Sequence, residues 1–218
     1  MASKLSIVFV IICAGFPSLS ATGPGMDRPR IPLTVSVFND ARVPQTVLQA
    51  ARRRADAVFR EAGIALTWLD CGTPGQWHSD RGCLAVAFPE HLSVRLVEGR
   101  RVPSADIYGQ SYLNAQGEGN YANVYVTPLA SSKALVLVKE GDLLGYVVVH
   151  ELGHLLLGKD SHSPEGLMRA KWQLSELREA AAGTLGFKPG EADLMRSRYL
   201  SARMARLKTA APAASIGK

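Results

Sequence analysis

Asp142-Leu143-Leu144-Gly145-Tyr146-Val147-Val148-Val149-His150-Glu151-Leu152-Gly153-His154-Leu155-Leu156-Leu157-Gly158 is the stretch that decides how this chain is read. It is apolar on nearly every side and has the length of a helix. It ends at a glycine, the residue that most often closes a helix C-terminus. The pattern predicts a buried helix from Asp142 to Leu157. Histidine is seldom placed in so apolar a helix without a partner. His150 and His154 are one helical turn apart, so both imidazoles project from one face and can reach a single metal ion. Glu151 lies beside that face, within reach of a water held by such an ion. The flanking leucines and valines bury the helix and hold these groups rigidly.

A zinc site that performs chemistry needs a third protein ligand and an open position. One arrangement takes a glutamate from the next helix, and Glu176 and Glu179 stand on the helix predicted over Leu174 to Ala182. In the other, the helix stops at a glycine and a nearby histidine closes the site. Gly158 and His162 fit that order. Ser163-Pro164-Glu165-Gly166-Leu167-Met168 then reads as a tight turn ending in an apolar methionine.

These residues, His150 to Gly158, then His162-Ser163, then Gly166-Leu167-Met168, resemble the metzincin zinc endopeptidases, with the matrixin branch closest in wording. They also resemble a set of exported bacterial proteins with HELGHLLLG, SHSP and a stretch matching Gly166 to Trp172. The resemblance covers Asp106 to Trp172, and the flanks only by element order. It implies an α/β (α+β) fold: a twisted mixed sheet with an active-site helix, a Met-turn and C-terminal helices. It implies Zn2+ bound by His150, His154 and His162, Glu151 as the general base, and Met168 beneath the metal. It also implies a protein or peptide substrate cut by a zinc-activated water.

The spacing departs from the family. Metzincins place glycine three residues and the third ligand six residues after the second histidine, whereas Gly158 and His162 come four and eight after His154. Asp160 holds the sixth position, and some relatives use aspartate there. His162 is the expected ligand, because imidazole suits a zinc site already holding two imidazoles. Asp160 is then expected to orient a histidine. Two other readings remain. One is a gluzincin-type peptidase with Glu176 or Glu179 as the third ligand. The other is a non-catalytic zinc-binding module, against which the intact Glu151 argues.

Outward from this centre the chain alternates strands and helices. Ile31 to Phe38 reads as a strand through Leu33, Val35 and Val37. Pro44 opens a helix from Gln45 to Ala62, stopped by Gly63. Its apolar stripe is Val47, Ala50, Ala51, Ala55, Val58 and Phe59, with Arg52, Arg53 and Arg54 facing water. Ile64 to Leu69 and Leu84 to Phe88 are further strands. Ile107 to Leu113, a turn over Gly117 to Asn120, and Tyr121 to Val126 repeat the metzincin order of edge strand, turn and last strand. Such an edge can receive an extended peptide by backbone pairing. A last helix runs from Pro189 to Leu207, and the Ala-rich end from Thr209 to Lys218 reads as a disordered tail.

Residues 1–20 read as a signal peptide. Lys4 precedes an apolar run from Leu5 to Phe16, then Pro17 and Ser18-Leu19-Ser20 before a cut near Ala21. The run is short for a membrane span. Cys13 leaves with it, and Cys71 and Cys83 are expected to pair in an oxidising compartment. The ten residues after the signal hold no cysteine that could block a metal, so the chain is expected to be active without a processing cut. The remainder, 21–208, is expected to be one catalytic domain: 47% hydrophobic and 20% charged residues exclude a largely disordered chain. The net charge of +6 is dispersed, without the block of a nucleic-acid arm. The expectation is an exported monomer, periplasmic or secreted, with no nucleic-acid partner and no stable membrane span after signal cleavage.

Overall fold

Leu33, Val35 and Val37 alternate along β1 (Ile31–Asn39) and are all buried, as their spacing requires. β1 lies inside a five-stranded sheet. The computed structural model describes residues 30–72, 81–99 and 107–210. Residues 1–29, which include the segment read as a signal peptide, 73–80, 100–106 and 211–218, most of the expected tail, lie outside these. The elements are β1, α1 (Gln45–Glu61), β2 (Ile64–Asp70), α2 (Arg81–Leu84), β3 (His91–Val97), β4 (Gly109–Tyr112), β5 (Tyr121–Tyr125), α3 (Val126–Ala130), a 3-10 turn (Lys133–Val136), α4 (Glu140–Leu157), α5 (Leu174–Ala182) and α6 (Pro189–Ala210). The sheet order is β2-β1-β3-β5-β4. The first four strands run parallel, and β4 pairs antiparallel with β5 at one edge. This is the mixed α/β sheet with an apolar helix and C-terminal helices expected from the sequence.

The sequence reading misplaced the central strand. Leu84 to Phe88 is not a strand: Leu84 ends α2 and is 71% exposed. The strand is β3, where Leu92, Val94 and Leu96 face the core and His91, Ser93 and Arg95 alternate with them. His91 and Ser93 are buried as well, which disguises the alternation. On that face Ser36 Oγ meets His91 Nε2 at 2.8 Å and donates to the Cys83 carbonyl at 3.3 Å. Cys83 is bonded to Cys71, with Cα atoms 5.7 Å apart, as the cysteine count predicts.

Two smaller corrections follow from helix packing. Leu48 belongs to the buried stripe of α1, whereas Val47 and Ala50 are only half-buried. Of the three arginines only Arg53 faces water. Arg54 pairs with Asp142 at 3.1 Å and lies over the Tyr146 ring, and Arg52 pairs with Asp70 at 3.3 Å. α4 packs across α1 and thereby brings Asp142 to Arg54. The approach is close at Gly145, where a Cβ would lie 2.7 Å from the Ala51 carbonyl oxygen.

β5 does not lead directly into α4. Val126 starts α3, and the 3-10 turn follows before α4 begins at Glu140. At the far end, α6 continues through Thr209 and Ala210, the first two residues of the expected tail. α6 fastens the other elements. Tyr199, buried, donates to the Pro32 carbonyl, and Arg198 donates to the carbonyls of Leu156 and Gly117 at 3.1 Å each.

Gly145→Ala is expected to lower stability by about 1–3 kcal/mol, because the added methyl meets backbone with no room to move. Gly190, with nothing within 4 Å, is the control, and Gly190→Ala leaves stability unchanged or raised. Urea midpoints of the two variants check this.

Candidate metal centre

α4 is buried along almost its whole length; Glu140 and Asp142 lie in its first turn, and His150, Glu151 and His154 cluster toward its C-terminal end. His150 and His154, one turn apart, bring their Nε2 atoms to 3.0 Å. The helix stops at Gly158, whose φ of +87° suits glycine, and Asp160 takes a φ of +55° in the loop that follows. The chain thereby returns His162 to the same spot, with ring centroids 5.6 Å from His150 and 4.6 Å from His154. The three possible ligand nitrogens lie within 4.8 Å of one another.

The partners of the other ring nitrogens decide what this cluster can hold. His150 Nδ1 lies 2.8 Å from the Leu167 carbonyl oxygen. A carbonyl can only accept, so Nδ1 carries the proton and Nε2 presents a lone pair to the cluster. His154 Nδ1 meets Ser161 Oγ at 2.7 Å, and a hydroxyl can accept from it in the same way. Burial pushes the His150 imidazole down to about 4, against the hydrogen bond to Leu167, and the neighbouring His162 lowers it further. Burial, and then the other two histidines, push His154 down to about 3. Both rings are therefore neutral at ordinary pH, which is the form that binds a metal. In a tetrahedral zinc site with bonds of about 2.0–2.1 Å, two ligand nitrogens sit roughly 3.3 Å apart. The observed 3.0 Å and the donor set fit such an ion.

Leu167 and Met168 form the floor. Both are fully buried, and the Met168 sulfur packs against Gly153 of α4. The turn is closed by Ser163 N–H to the Met168 carbonyl at 2.9 Å. The Leu167 carbonyl also accepts from Trp172 Nε1 at 2.9 Å, so one backbone oxygen anchors both the histidine and the indole.

Glu151 points from α4 toward β4. Burial raises its carboxyl to about 7, opposed by a hydrogen bond from Ser111 Oγ at 2.7 Å. The histidines, Glu151 and β4 line one side of a cleft of about 910 Å³. Leu143, Val147 and Trp172 supply an apolar wall.

The other ligand candidates stand elsewhere. Asp160 is exposed on the cleft rim, outside the histidine group, and the side chain that meets His154 is Ser161. Glu176 is buried but turned to its own helix end. It accepts from the Gln173 N–H at 2.9 Å, from Ser175 Oγ at 3.1 Å and from the Gly166 N–H at 3.4 Å, and it pairs with Arg169. Burial would raise its carboxyl, but these hydrogen bonds hold it at about 2. Glu179 is exposed on α5, outside the histidine group. Sequence reasoning missed Ser161, the Leu167 carbonyl and Ser111. A backbone oxygen leaves no mark in a sequence, and the two serines matter only through where the chain folds them.

No family model matches this chain, and no curated protein matches it. Among solved structures it is similar to an archaemetzincin from Methanopyrus kandleri: 16% identity, TM-score 0.48, covering 80% of this chain and 97% of that one. It is also similar to a zinc-dependent peptidase from Methanocorpusculum labreanum: 16% identity, TM-score 0.45, covering 74% and 98%.

Glu176→Gln is expected to leave zinc affinity at the wild-type level in a metal titration, because Glu176 serves the turn and not the ion. Its depressed carboxyl contributes stability that is complete above about pH 4.5 and is lost as pH falls toward 2. The thermal stability of the metal-free variant should therefore vary less across that window than that of the wild type.

Proposed function

We propose that this chain is an exported zinc-dependent endopeptidase, with 21–208 as a monomeric catalytic domain. The carrying observation is the obligatory Nδ1–H of His150 on the Leu167 carbonyl, which leaves Nε2 as a lone pair 3.0 Å from His154 Nε2 inside a buried helix. Two neutral imidazoles converging there, with His162 beside them, form a donor set for a divalent cation. A zinc ion held there supplies Lewis acidity, lowering the pKa of a water and polarising a carbonyl.

The chain's own residues do the rest. Glu151 accepts the proton of the attacking water and passes it to the leaving amine. Its place in a buried pocket raises the carboxyl toward neutrality, the range in which one group can both take and give a proton. β4 is the edge of the sheet and borders the cleft, so its free backbone groups can align an extended peptide across the histidines. Export is supported by the apolar segment near the N-terminus and by the Cys71–Cys83 bond. No helix among the described residues is long and apolar enough to cross a membrane.

The test is metal content together with cleavage of casein. Glu151→Ala should keep its zinc and lose activity by about 10²- to 10⁴-fold, because it removes proton transfer and no ligand. His150→Ala and His154→Ala should lose the metal itself, and His162→Ala should release zinc where Asp160→Ala does not. Wild-type turnover in Glu151→Ala would defeat the assignment of the base. Metal loss confined to Asp160→Ala would defeat His162.

A further inference from the structure

Glu151 is held by β4 rather than by its own helix. Ser111 Oγ reaches Glu151 Oε2 at 2.7 Å and the Glu151 backbone carbonyl at 2.8 Å. One hydroxyl thus sits against both the carboxyl and the helix backbone, its single proton shared between two acceptors. Two residues earlier, on the same side of β4, Gly109 provides space. A Cβ there would lie 2.4 Å from Glu151 Oε1 and 2.5 Å from Cγ, closer than real Cβ contacts come. Pairing fixes the strand's placement: Gly109 lies opposite Val124 and Ser111 opposite Ala122, both fully buried. Gln110 and Tyr112, the alternate positions, point to the other face and bond with Tyr125 and Asn123. Register therefore cannot slip by one residue without exchanging the two faces.

A glutamate side chain has several rotatable bonds, each with its own staggered wells. A general base must lie within hydrogen-bond reach of the proton it takes, and a misplacement of about 1 Å can cost roughly 10²-fold in rate. We propose that Ser111, with Gly109 making room, is the positioning residue that sets the Glu151 carboxyl in its working place. The inference rests on the reading of Glu151 as the base. Ser111 acts through Glu151 and bonds none of the three histidines.

Three variants test it in the zinc-loaded protein, alongside the wild type. Ser111→Ala should bind zinc normally and keep KM, while kcat falls roughly 10- to 100-fold. Ser111→Thr, which keeps the hydroxyl, should recover most of that loss. Gly109→Ala should lower kcat by a similar factor through displacement of the carboxyl. Crystal structures of Ser111→Ala and Gly109→Ala should show the Glu151 carboxyl moved away from β4. The proposal is overturned if kcat of Ser111→Ala stays at the wild-type level, if the loss falls on KM or on zinc content, or if threonine recovers nothing. A wild-type protein that binds zinc and cleaves no peptide refutes the peptidase reading instead. The carboxyl's position in the variant structures then decides the role of Ser111 by itself, and an unmoved carboxyl overturns it.

Discussion

A helix buried on nearly every side must find a partner for each polar group it carries, or bear the cost of desolvating it. α4 is such a helix, and the rest of the molecule can be understood as the supply of those partners. α1 gives Arg54 to Asp142. The turn after α4 gives the Leu167 carbonyl to His150, and the loop gives Ser161 to His154. β4 gives Ser111 to Glu151. Apart from the buried Tyr146 hydroxyl, what then faces inward without an obligatory partner is a pair of imidazole Nε2 atoms beside a third histidine. A cation resolves that convergence, and a rigid apolar surround keeps the ligands from relaxing away from it.

The same economy explains the acidic residues. Two glutamates stand buried near the cleft, with carboxyls displaced in opposite directions. Glu176 receives backbone N–H groups and an arginine, which hold it ionised and make it part of the turn that presents Leu167 and Met168. Glu151 receives one hydroxyl in a desolvated pocket, which raises it toward neutrality. A carboxylate saturated with donors is a structural part, whereas one that is desolvated and sparsely bonded remains able to exchange a proton.

Much of this was legible in the chain. The apolar run with its embedded His-Glu-x-x-His fixes helix, face and donor set, because spacing along a helix is set by local geometry alone. The cysteine pair, the stripe of α1 and the edge-turn-strand order before α4 follow from local patterns of the same kind. The reading failed where burial is not local. Leu84 to Phe88 is apolar yet partly exposed, and the core strand is β3, whose polar residues are buried against the disulfide-pinned segment.

By itself, then, the sequence determined that a buried helix carries two imidazoles on one face and a carboxylate beside them, with a glycine, a histidine and a methionine turn to follow. Only the tertiary structure brings His162, rather than Asp160, Glu176 or Glu179, beside the pair. That choice depends on the path of the loop after Gly158 and on donors from distant segments. It likewise decided the tautomer of His150 and the place of Glu151. Both depend on groups the helix does not contain: the carbonyl of Leu167, brought back by a turn, and the hydroxyl of Ser111, forty residues away on the sheet edge. A contact across that separation is set by packing, and no local pattern in the chain encodes it.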